Sequence, residues 1–169
     1  ATELFLSALH ELKPKPSWDW SPQLSMRDAS FESRLEALKK DREDYPGWVI
    51  CPSHLRFLMH SSIDHQLISK NVIDSLSIDQ RTTLLYEVAW RYNVSFCVAP
   101  EWLANEMLTI ATLSQANTLS KKQQLEVAAY VLKISRWYGE EGNILKNRAK
   151  PFIKENVKFW PEYEDALIF

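Results

Sequence analysis

Three of the four histidines stand near one another with a cysteine, in the order Cys51-x2-His54-x5-His60-x4-His65. Thiolate and imidazole are the ligands with which zinc builds a tetrahedral site, so the residue types qualify. The spacing does not help them converge. On one helix His60 and His65 diverge by about 140° at 3.6 residues per turn, and only a break at Ser61 and Ser62 would turn them together. Scattered surface or core histidines are therefore expected. Cys51, His54, His60 and His65 are the metal-ligand candidates this arrangement leaves, and no cofactor is expected.

Nucleophilic catalysis is matched less well. Ser61, His60 and Asp64 could be drawn as a triad, yet no strained turn presents the serine and no glycine-rich oxyanion loop accompanies it. Cys97 lies in an apolar run without the positive neighbours that activate a thiol. Helical ribonucleases use an Arg followed at a fixed gap by His; Arg56 and His60 have three residues between them, fewer than that pattern needs. Asp41, Glu43 and Asp44 read as a solvated helix end. Glycine is scarce as well: only Gly47, Gly139 and Gly142 occur. Phosphate-cradling loops and nucleophile elbows depend on glycine's backbone freedom. The chain is not expected to be an enzyme, and no small-molecule substrate is evident.

Lys146, Lys150, Lys154 and Lys158 recur at four-residue spacing, with Arg148 among them and Phe152, Phe159 and Trp160 interleaved. From Lys133 to Lys158 seven basic residues face three acidic ones. On a continuous helix such a stripe would suit phosphates. Pro151 is expected to split the segment, so that the ammonium groups need not align. Glu162, Glu164 and Asp165 follow and could pair with them, which makes a solvated basic face the plainer reading. The other candidate is the Pro- and Trp-rich stretch 13–26, an extended arm whose Trp18 and Trp20 either clamp it to its own domain or dock on a partner. The apolar end, Ala166 to Phe169, poses the same choice.

These residues need a scaffold. The 169 residues, 46% apolar and 25% charged, fit one domain with one core. Apolar periodicity predicts helices over 2–13, 30–44 and from Ser53 to about Ser61, then a short one through Ser75. In the second, Phe31, Leu35 and Leu38 point inward and Glu32, Arg34, Glu36, Lys39 and Lys40 outward. Tyr45-Pro46-Gly47-Trp48 reads as a type II turn. Ser77-x-x-Gln80 and Ser120-x-x-Gln123 are capping boxes; they open helices to about Tyr92 and to Tyr138, the latter stopped by Gly139. Pro100 suits the first residue of a helix ending near Ala116. Helices near 143–150 and from Pro151 to before Pro161 complete the set. Asn93–Ala99 alternates like a strand and could pair with Val49–Cys51, though a turn between helices fits equally. The helix from Ser120 carries two apolar rows, Leu125/Ala128/Ala129/Leu132 and Val127/Val131/Ile134/Tyr138, and is expected at the centre.

The expected fold is thus all-α: a compact bundle of about seven or eight helices, with at most a minor two-strand element. The division is an arm over 13–26, a helical core over 27–138, and basic C-terminal helices with an acidic and apolar tail over 139–169. A net charge of −2 excludes a globally basic coat. Two cysteines are too few for a disulfide framework, nothing resembles a signal peptide, and no apolar run approaches the roughly 20 residues that span a bilayer. The expected place is the cytoplasm. Ala1 is what removal of an initiator Met would leave, and equally what an excised piece would show.

The first expectation for function is a non-catalytic helical interaction module, a small subunit or adaptor of an intracellular complex, with Trp18, Trp20 and Phe169 as partner-binding residues. The second is an accessory nucleic-acid-binding subunit using Lys146, Arg148, Lys150, Lys154 and Lys158. The third is a helical enzyme or metalloprotein at the histidine cluster.

Overall fold

Local chemistry sets most of the helix boundaries. The computed structural model describes residues 31–44, 69–94, 96–113 and 118–168. Every regular element among these residues is helical, and the fold is all-α. The chain divides into two compact units, residues 1–48 and 49–169. In the first, α1 (Phe31–Asp44) buries Leu38 and exposes Glu32, Glu36 and Lys40, as its periodicity predicts. The expected helices over 2–13 and from Ser53, the arm, the 45–48 turn and Val49–Cys51 lie outside the described residues.

In the second unit Ser69 caps α2 (Lys70–Ser75), its Oγ accepting from the Val72 N–H at 3.2 Å. The far end of α2 is closed by Arg81, whose Nε donates to the Ile73 carbonyl at 3.1 Å. Arg81 belongs to α3 (Ile78–Val94), which opens on the predicted capping box: Gln80 N–H donates to Ser77 Oγ, and Ser77 N–H donates to Gln80 Oε1. α4 (Glu101–Thr112) starts one residue later than expected, because Pro100 is the cap itself, with φ −55° and ψ 149°. It also ends four residues earlier than Ala116. The buried Gln124 donates its side-chain amide to the Leu113 carbonyl at 3.1 Å, closing that end.

The second capping box, Ser120 with Gln123, opens α5 (Lys121–Ile134). The expected run to Tyr138 is helical throughout but changes type, becoming a 3-10 turn at Ser135–Tyr138. Both predicted apolar rows serve: α5 packs against α3, α4, α6, this 3-10 turn and the closing segment. It is central. Its Leu125, Ala128, Val131 and Leu132 meet no solvent.

The split at Pro151 is a correction. One helix, α6 (Glu140–Asn156), passes through the proline. Gly142, Leu145, Ala149, Ile153 and Asn156 form its buried seam, and Pro151 sits on the solvent side. The helix bond that proline cannot donate belongs to the Asn147 carbonyl, on an exposed residue that water reaches. Position decides tolerance. A turn then leads to a closing 3-10 helix, Pro161–Ile168, with no buried residue. Of the two readings of Asn93–Ala99, the described residues take the turn between helices: α3 runs to Val94 and residues 96–99 form no strand.

One buried charge pair sits inside α3. Arg91 donates from Nη1 to Glu87 Oε2 at 3.1 Å and to the Glu87 carbonyl at 2.9 Å, both side chains 1% exposed.

Two glycines make the crossing from α5 to α6 passable. Gly139, at φ 60° and ψ −133°, turns the chain where a side chain would be strained. A Cβ on Gly142 would stand 1.9 Å from the Ser135 carbonyl oxygen, so backbone would have to move. Denaturant unfolding should rank the two positions: Gly142→Ala should cost about 3 kcal/mol or more, and Gly139→Ala about 1–2 kcal/mol.

Candidate functional site: an aromatic face and its neighbouring recess

The basic stretch is defined by the α6 seam. Lys146, Lys150 and Lys154 each follow a residue of that seam by one position, about 100° round the helix. The first two are half-buried with stems along the seam's edge, and Lys154 is exposed. Lys158 lies beyond the helix end, its ammonium 5.0 Å from the centre of the exposed Phe159 ring. Among the described residues none of these lysines pairs with Glu162, Glu164 or Asp165. Arg148 lies on the opposite flank. It donates to Asn105 Oδ1 at 2.6 Å and to Thr109 Oγ1 at 3.1 Å, pinning α6 to α4. Three lysines therefore share a flank, and the arginine does not.

A different face emerges where α3 ends. The Cys97 N–H donates to the Tyr92 carbonyl at 2.9 Å and the Phe96 N–H to the Asn93 carbonyl at 3.2 Å. These are the two bonds of a Schellman motif, whose left-handed position is ordinarily glycine. Here it is Phe96, at φ 54°. A bulky L-residue there costs about 1–2 kcal/mol. The ring gains nothing from the core in return, being 85% exposed.

Tyrosines hold this loop from beneath. Tyr130 donates its hydroxyl to the Cys97 carbonyl at 2.7 Å and accepts from the Ala99 N–H at 3.1 Å. Tyr138 donates to the Ala99 carbonyl. Burial pushes Tyr92 up to about 12, helped by the nearby Cys97 thiol. Burial likewise raises Tyr130 and Tyr138 above the usual tyrosine range. Beside Phe96 stand Val98, 43% exposed, and Trp137, 63% exposed with the Arg136 guanidinium 5.1 Å over its ring. A hollow of about 200 Å³ opens between them.

The same surface continues into a recess of about 440 Å³ lined by Trp90, Asn93, Glu126, Tyr130, Lys133 and Tyr163. Lys133 donates to Asn93 Oδ1 at 3.1 Å. The Glu126 carboxylate accepts from Tyr86 at 2.8 Å. Tyr163 is raised by burial first and then by Glu126, which holds its phenolic proton.

Compared with protein-family models, with curated proteins and with solved structures, the chain matches none of them. Its own geometry has to speak.

Of the residues singled out in the sequence, Trp18, Trp20, Phe169, Cys51, His54, His60 and His65 lie outside the described residues, as do Arg56, Ser61 and Asp64. Among the described residues no group of three His, Cys, Asp or Glu could hold a metal, and no helix is long and apolar enough to cross a membrane. Sequence reasoning missed Phe96 because a positive φ carries no signal when the residue is not Gly, Asn or Asp. It missed Glu126, which reads as an ordinary surface charge, and took Lys133 only as the start of the basic stretch, although their seven-residue spacing places them on one face of α5.

Two outcomes are expected. Tyr130→Phe removes the oxygen that serves both Cys97 and the buried Ala99 N–H, and should cost about 1–3 kcal/mol in denaturant unfolding. The neutral phenols are the form the fold holds. Their contribution is therefore complete below pH 10 and is lost as pH rises from 10 through about 12 at Tyr92. Stability should fall across that window, with tyrosinate absorbance and loss of helical circular dichroism appearing together.

Proposed function

We propose that this chain is a non-catalytic interaction module, a small subunit or adaptor of a larger cytoplasmic complex, and that it engages its partner through Phe96, Val98 and Trp137. The observation that carries this reading is Phe96. A residue that strains the backbone, projects into solvent and rests on a loop tied by two tyrosine hydroxyls contributes nothing to folding that asparagine would not supply better. Strain of this kind clusters where a structure presents something. Trp, Phe and a stacked Arg are also the residues that dominate binding energy at protein interfaces. Lys133 and Arg136 flank the face, so the complementary partner is a polypeptide with an apolar patch bordered by carboxylates.

The prediction is a trade-off. Phe96→Asn should raise the thermal midpoint by several degrees, about 1 kcal/mol, by relieving the left-handed strain. With the purified chain as bait, the partner captured by the unmodified protein should bind at least tenfold more weakly to Phe96→Asn and to Trp137→Ala, while Ile144→Ser retains it. Equal capture by all four proteins would refute the assignment.

Nucleic-acid binding is a second reading, favoured by the continuity of α6 through Pro151, which gives Lys146, Lys150 and Lys154 a common flank. Phosphate contacts weaken steeply with salt. A gel shift at low salt that is abolished by changing these three lysines to Glu supports it; no shift with DNA or RNA removes it.

A further inference from the structure

Two opposite charges on α5 line the recess beside the aromatic face without pairing with each other. Glu126 and Lys133 are both half-buried, both border the 440 Å³ hollow, and neither takes part in an ion pair among the described residues. Taking charges out of bulk water without an opposite partner is unfavourable. Polar neighbours hold each in place: Tyr86 donates to the carboxylate at 2.8 Å, Tyr163 is hydrogen-bonded to it as well, and the ammonium donates to Asn93 at 3.1 Å. Each keeps further hydrogen-bonding capacity, since a carboxylate accepts about four bonds and an ammonium donates three.

We propose that this recess binds a short peptide with free ends, its ammonium against Glu126 and its carboxylate against Lys133. Length supports the assignment. Seven residues of helix separate the two charges by about 10 Å along the axis, and three extended residues span about 10 Å. The volume lies within the range of roughly 300–1,000 Å³ typical of small-molecule sites. Trp90, Tyr130 and Tyr163 supply aromatic walls for the ligand's body and for its cationic end. Asn93 offers a side-chain amide that can donate to a peptide carbonyl, which an ω-amino acid of similar length would not use. The recess shares Asn93, Tyr130 and Lys133 with the hollow beside Phe96 but is not lined by Phe96 or Trp137, and the assignment does not depend on the interaction reading above.

Calorimetric titration of the full chain tests it, using trialanine, N-acetyl-trialanine, trialanine amide and 8-aminooctanoate as probes. Trialanine should bind, and blocking either end should weaken binding at least tenfold. Glu126→Gln should bind the free and acetylated peptides alike, and Lys133→Met the free and amidated peptides alike, each with unchanged helical circular dichroism. Phe96→Asn should bind trialanine as the unmodified protein does, which separates this site from the partner face. Failure of trialanine to bind, indifference to both blocked ends, or equal affinity for 8-aminooctanoate would overturn the proposal.

Discussion

α5 must bury side chains nearly all the way round, and the second unit is arranged to satisfy it. A helix with two apolar rows has no large face to give to water, so α3, α4 and α6 each lay their own stripe against it. Little room is left on α5 for polar groups, and those that occur are therefore informative. Gln124 closes the end of α4. Tyr130 ties the loop after α3. Glu126 and Lys133 emerge along the remaining gap, between α3 and the closing 3-10 helix. The recess is thus a by-product of how the hub is packed, and its two charges mark where packing stops.

The aromatic face follows from the same arrangement. Tyr130 reaches outward from the hub to hold Cys97 and Ala99, and Tyr138 adds a second tie from the 3-10 turn that ends α5. The loop's backbone is satisfied by side chains rather than by a sheet. Phe96 is held at the left-handed position by bonds on both sides of it, so its strain cannot relax by local rearrangement. A ring presented this way loses little freedom when something covers it, which is the condition under which exposed aromatics contribute most to association.

Much of the scaffold was legible in the sequence, because its signals are local. Both Ser-x-x-Gln pairs form the reciprocal bonds their spacing implies, and the breadth of apolar positions after Ser120 marks the central helix. Pro151 misled because its effect depends on which side of the helix it faces, and that is decided by the seam from Gly142 to Asn156, a tertiary fact. The alternation around Phe96 left strand and turn equally open because three apolar residues in alternation fit a Schellman turn and its following loop as well as a strand. The lysine row was visible as spacing. That Arg148 is occupied with Asn105 and Thr109, on a helix some forty residues away, was not.

The order in which the helices meet bears on how the unit assembles. α3 touches α4, α4 touches α5, and α5 touches α6, so from α3 onward each α-helix packs on its successor in the chain. Most closures span short connections and carry a small entropic cost. Near-neighbour pairings of this kind favour faster folding than long-range ones do. The hub is the last but one of the α-helices, and both α6 and the closing 3-10 helix that follow it pack against it.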